Sequence, residues 1–361
     1  MVTTMTEPTT RGLHDVIAAD TVLSRSDAQR AQLWLRGQPL EQAVHELGYD
    51  GTVALLWECF AGKGLTREGI RASLGAARER AFDRLRAWPR SLSELRPSEA
   101  LTQWLAALRD DATADEITGA AAVGVAGILR QRQGLPLVSP DRTLSGPADI
   151  LRMVRGEPAS PPTVQALETY FTVVMENGLG ASSFAARVIA STRASLSCAV
   201  LGAYCAFTGP LHGGAPGSVL DMLDEARASG DVDGWLERRL AAGERLPGFG
   251  NRAYPHGDPR ADLLGRALRR FAPDTPFLRF AADFQDRALL ALARHRPGRA
   301  LRPNLELNAA LLLDACDIPR DAFTPVFAAA RVAGWLAHAL EQQQTGRLIR
   351  PTSRYIGPDV A

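Results

Sequence analysis

Apolar residues recur at intervals of three and four along nearly the whole chain, as in "TVALLWECFAG", "ALTQWLAALRDD" and "FAAARVAGWLAHALEQQQ". That spacing lays one face of a helix against a core. Strand character is confined to the start, where "DVIAADTVLS" and "AQLWLRGQ" flank the polar "RSDAQR" and predict a small hairpin ahead of the helices. The expected fold is all-α with that hairpin in front. Clusters of proline and glycine, among them "RGEPASPPTV", "LPGFGNRAYPHGDPR" and "RHRPGRALRPN", punctuate the helices, and the chain has no internal repeat.

Helix-start signals place several polar residues. Ser218 with Asp221 has the form of a capping box, and Val219, Met222, Leu223 and Ala226 line one face behind it. His212, in "GPLHGGAPGSVLDML", then lies on a tight Gly-rich turn six residues ahead of that cap. In "GDPRADLLGRALRRF", Asp258 fits the N-cap and Pro259 the first helical position, with Leu263, Leu264, Ala267, Leu268 and Phe271 as the apolar stripe. Arg260 falls in the first turn. Gly346 reads as the stop of a long C-terminal helix.

Length and composition narrow the function classes. A chain of 361 residues exceeds one ordinary domain, so two domains or a large helical domain with an insertion are expected. With 46% hydrophobic and 22% charged residues and a net charge of +1, it is composed like a globular protein and offers no basic field for a nucleic-acid backbone. The opening "MVTTMTEPTTRGLHD" has no apolar core of signal-peptide length, and no stretch approaches the roughly 20 apolar residues of a membrane span, so a cytoplasmic location is expected. Cys59, Cys198, Cys205 and Cys316 stand singly, in no zinc-site spacing, and are read as reduced packing residues.

Three residues stand out chemically. A cation in a first turn opposes the helix dipole unless an anion binds there, so Arg260 is either a solvated junction residue or part of an anion site. Arg331 sits in an otherwise apolar helix and needs a carboxylate, such as Glu341 or Asp321, or else an anionic ligand. Glu306, between Leu305 and Leu307 at the mouth of an apolar run, is either a dipole-compensating acid or a carboxylate of raised pKa fit for general-base work.

The blocks "GASSFAARVIAST" (180–192), "GPLHGGA" (209–215), "LPGFGNRAYPHGDPRA" (246–261), "RPNLE" (302–306) and "ARVAGWLAHALEQQQTGRLIRP" (330–351), in that order, resemble the citrate synthase family. The resemblance extends over most of the chain. It implies an all-α homodimer with a large domain from both chain ends, here 1–214 plus 323–361, and a small domain, 215–322, that closes over the substrates. It also implies condensation of an acyl-CoA with oxaloacetate or a similar 2-oxo acid, with no metal, no permanently bound cofactor and acyl-CoA as co-substrate. On this resemblance His212 stabilises the enol of the acyl group. Arg260, Arg331 and Arg350 clamp the acceptor's carboxylates, Arg350 from the partner subunit. Leu246, Gly248 and Gly250 cradle the adenine of CoA.

Three positions depart from the family pattern. Asn251 stands where a histidine polarises the acceptor ketone, Asn177 where another histidine binds the acceptor, and Glu306 where the base is an aspartate. An amide donates a hydrogen bond but transfers no proton. Glutamate carries its carboxylate roughly 1 to 1.5 Å further out, and a displacement of about 1 Å can cost on the order of 100-fold in rate. These departures lead to an expected condensing enzyme tuned to another acceptor or acyl group. The alternatives are an ordinary citrate or 2-methylcitrate synthase of reduced rate, or a silent homologue that binds carboxylates or CoA.

Overall fold

The computed structural model describes residues 16–88, 94–213, 215–251, 254, 256–271, 275–298, 301–353, 355 and 357–358. The three-and-four periodicity becomes a succession of helices, and the long Phe323–Thr345 helix forms their axis. Largely apolar, it is buried from Pro325 to Ala339 and packs against helices Ala114–Arg132, Pro161–Val174, Ala181–Ser191 and Leu196–Phe207.

Among the described residues, five further helices lie between Ala215 and Ala315. Helix Ala215–Ala228 packs on Leu305–Ala315, and Val232–Ala241 on Pro276–His295. Helix Pro259–Phe271 packs on Leu305–Ala315 from one side and on Pro161–Val174 from the other, so it joins this section to the rest. Its buried face is Arg260, Ala261, Leu263, Leu264 and Gly265.

The N-terminal sheet exists, but its strands differ from those the pattern predicts. Strand Ser24–Asp27 pairs antiparallel with Gln32–Leu35, which pairs with Gln38–Pro39. The polar "RSD" is thus part of the first strand instead of the turn. Asp27 explains the shift, because its Oδ1 accepts from the backbone N–H of Gln29 (3.0 Å) and Arg30 (2.9 Å) and starts the turn there.

Helix Ala215–Ala228 begins three residues before the capping-box serine, so His212 lies closer to a helix start than the pattern suggests. Pro216 belongs in that first turn, where a missing N–H costs nothing. The cysteines also differ from expectation. All four are free thiols, yet Cys59, Cys198 and Cys205 are exposed and only Cys316 is buried. Among the described residues no helix is long and apolar enough to cross a membrane.

Candidate active site

Two loops from distant parts of the chain are joined by backbone pairing. Gly250 N–H donates to the Arg302 carbonyl (2.8 Å), and Asn304 N–H donates to the Gly248 carbonyl (2.8 Å). The Asn304 side chain completes the joint: Nδ2 donates to the Gly250 carbonyl (3.0 Å), while Oδ1 accepts from Glu306 N–H (2.9 Å) and caps the Leu305–Ala315 helix. Gly248 has φ +85°, and a Cβ there would lie 3.1 Å from the Cβ of Leu307, so only glycine fits without displacement. The Leu246–Gly250 loop is therefore held against the first turn that carries Glu306.

Glu306 is half-buried, and its carboxyl pKa is raised. Burial is the largest cause, opposed by the positive charge of Arg260 and the Asn304 hydrogen bond and reinforced by the negative charge of Asp258.

Asp258 and Arg260 are both buried at the start of helix Pro259–Phe271. Asp258 caps the helix as the sequence predicts, accepting from Arg260 N–H at 3.0 Å. It also grips the guanidinium, from Nε to Oδ1 (2.9 Å) and from Nη2 to Oδ2 (2.8 Å). Asn251 Nδ2 donates to the same Oδ2 at 2.8 Å. The Arg260 guanidinium lies 5.6 Å from the ring centroid of Tyr254. The Tyr254 hydroxyl donates to Asn177 Oδ1 at 3.1 Å, which brings the 177 loop to the same cluster.

His212 sits on the turn that follows helix Leu196–Phe207. Its N–H donates to the Gly209 carbonyl (3.0 Å), and Gly213 N–H donates to Phe207 (2.8 Å). A Cβ on Gly213 would come within 2.4 Å of the Phe207 ring, so the turn closes only with glycine at that position. The imidazole packs edge-on against Phe207, centroids 4.9 Å apart, and Nε2 lies 2.9 Å from Ser182 Oγ. Ser182 Oγ also accepts from Trp335 Nε1 at 3.1 Å. Burial, and next the positive charge of Arg331, push the His212 pKa down to about 4, so the ring is neutral near pH 7.

Arg331 is buried, and the intramolecular ion pairs that could have explained it are absent. Asp321 pairs with Arg132 (2.9 Å) and Glu341 with Arg187. His338, two turns along, is engaged too: Nε2 contacts Glu176 Oε2 at 3.0 Å and Nδ1 accepts from Arg187 at 2.9 Å. Among the described residues Arg331 forms no ion pair, and its Nε has no hydrogen-bond partner. Its guanidinium lies over Phe327, 5.6 Å from the centroid. Burial, and then the nearby charge of Arg260, lower its pKa to about 10. Arg350, by contrast, is exposed beyond the end of the long helix.

His212, Arg331, Arg260 and Glu306 thus form a chain of electrostatic neighbours, with Asn251 and Asn177 tied to it through Asp258 and Tyr254. Arg350 lies outside it. A cleft of about 750 Å³ lined by His45, Arg67, Glu168 and Arg270 contains none of these residues. Sequence reasoning missed Ser182, Tyr254, Trp335 and the clamping role of Asp258. Only Asp258 carried a signal, as a helix cap.

The family model "Citrate synthase, C-terminal domain" matches residues 12–352. Among curated proteins, the citrate synthase of Haloferax volcanii is 32% identical, with 96% of this chain and 95% of that protein covered. The 2-methylcitrate synthase of Mycobacterium tuberculosis is also 32% identical, with 96% and 90% covered. Among solved structures, the citrate synthase of Thermotoga maritima superposes with a TM-score of 0.84 at 31% identity, with 97% of each chain covered.

Proposed function

This chain belongs to the citrate synthase family, and on that premise we propose that it condenses an acyl-CoA with a 2-oxo dicarboxylic acid, as a citrate or 2-methylcitrate synthase does. One observation carries the reading: Arg331 is a buried cation that forms no ion pair among the described residues, since the nearby Glu176 carboxylate is hydrogen-bonded to Ser24 and His338 instead, and it lies next to a second cation and a neutral histidine. A buried guanidinium needs an anion, and two guanidinium groups suit a dicarboxylate.

In this reading Arg260 and Arg331 bind the acceptor's carboxylates, with Asn177 and Asn251 donating hydrogen bonds beside them. Glu306 takes a proton from the carbon next to the thioester carbonyl. That carbon is a very weak acid, so the developing enolate oxygen needs a fixed donor, the role of His212. Were Ser182 to pass its own hydrogen to Nε2, the ring proton of neutral His212 would sit on Nδ1, the nitrogen away from Ser182. The enolate carbon then attacks the acceptor ketone, the resulting alkoxide takes up one proton from solvent as Glu306 releases the one it took, and water cleaves the thioester C–S bond to release CoA as the thiol. The Leu246–Gly250 loop, paired to the Glu306 turn, would hold the CoA. Residues 215–322 would close as the smaller domain, and in a homodimer Arg350 would reach the partner subunit's site.

A second reading, an acceptor other than oxaloacetate, is favoured by Asn251. Its amide donates to Asp258 and can stabilise a ketone oxygen but not protonate it. Thiol release with acetyl-CoA or propionyl-CoA separates the two: turnover with oxaloacetate supports the first, and turnover only with other 2-oxo acids the second. If no acyl-CoA and 2-oxo acid pair releases CoA, and Glu306→Ala changes nothing, condensation is excluded. Asn251→His distinguishes a weakened citrate-forming site, which it would restore, from one built around the amide.

A further inference from the structure

Tyr254 belongs to none of the roles above, yet it touches two of their residues. It is 2% exposed, its ring lies under the Arg260 guanidinium, and its hydroxyl gives its hydrogen to Asn177 Oδ1 at 3.1 Å while Ser26 hydrogen-bonds to the phenol oxygen. Asn177 follows the Pro161–Val174 helix, whereas Tyr254 and Arg260 come from the section between 215 and 322. The Tyr254 contact therefore crosses the joint between the two sections.

An amide has two different ends, a carbonyl that only accepts and an NH₂ that only donates. A phenol hydrogen given to Oδ1 fixes which end is which. The NH₂ of Asn177 is then the end turned away from Tyr254. Arg260 is oriented by the same residue group: two of its N–H groups go to Asp258 and its face lies on the Tyr254 ring. The guanidinium retains N–H groups beyond those two for an anion.

We infer that Tyr254 is a positioning residue for the acceptor: its hydroxyl sets the Asn177 amide so that NH₂ donors face a ligand oxygen, while its ring supports Arg260. This deepens the proposed function and depends on it. With Tyr254 in place, asparagine can serve as a donor where the family has a histidine. Its effect falls on affinity for the 2-oxo acid and not on the acyl-CoA.

Tyr254→Phe keeps the ring and removes the hydroxyl. Calorimetric binding of oxaloacetate to the full-length protein should weaken by about 5- to 10-fold, the loss of one hydrogen bond and its orientation. The KM for oxaloacetate should rise with it, while kcat and the KM for the acyl-CoA stay within about twofold. Because the hydroxyl acts through Asn177, adding Tyr254→Phe to Asn177→Ala should cost nothing further. A structural role would lower thermal stability and add to the Asn177→Ala loss. Unchanged oxaloacetate affinity in Tyr254→Phe, or full additivity in the double variant, overturns the inference. A wild-type protein that neither binds nor turns over any 2-oxo dicarboxylate overturns the functional reading instead.

Discussion

Asp258 holds Arg260 through both carboxylate oxygens and accepts Asn251 on one of them, so a single buried acid orients two side chains of the candidate site. It also lies near enough to Glu306 to raise that carboxyl's pKa. Asp258→Asn should leave Arg260 with one good acceptor and raise the KM for the 2-oxo acid by about 10- to 100-fold, as expected for a broken buried charge-assisted pair. With the negative neighbour gone and Arg260 less neutralised, the Glu306 pKa should fall. The acid limb of the rate profile would move to lower pH.

Glu306→Gln should separate function from stability. Removing the base is expected to lower kcat by about 100-fold or more. The wild-type carboxyl has a raised pKa in the fold, so its charged form is disfavoured there, and the protein loses stability as pH rises through the ordinary value of 4.5. The neutral variant escapes that loss. It should melt at a higher temperature than wild type at pH 7 and a similar one at pH 4, which calorimetry reads directly.

His212 gives a prediction of the opposite sign. Its pKa falls to about 4, so between pH 6.5 and 4 the unfolded chain binds a proton that the folded one refuses. Stability should fall with pH across that window, and His212→Asn should flatten the fall. Activity should show no limb near pH 6.5, where an unperturbed histidine would place one.

Arg331→Met should be tolerated by the fold, since the long helix is apolar around it, the cation forms no ion pair among the described residues, and the nearby Glu176 keeps its hydrogen bonds to Ser24, Gly178 and His338. Binding of a dicarboxylate should fall by about 100-fold or more, the effect of losing a charged hydrogen-bonding partner in a buried site. Thermal shift with citrate checks both: a near-normal melting temperature without ligand, and little rise when it is added.

The sequence by itself determined the helical architecture, because an apolar stripe every three or four residues has only one way to be buried. It also marked the Asp258 cap, the Glu306 helix start and the Gly-rich turn of His212, since each depends on neighbours a few residues apart. Five ordered motifs carried the family. Only the tertiary structure decided what each polar group touches. Arg260 could have been solvated and Arg331 paired with Asp321 or Glu341, but folding gave those acids to Arg132 and Arg187 and left Arg331 without one. Ser182 against His212, and Tyr254 against Asn177, are contacts across 30 and 77 residues. No local pattern encodes them, because hydrogen bonds of that range depend on where packed helices bring their ends together.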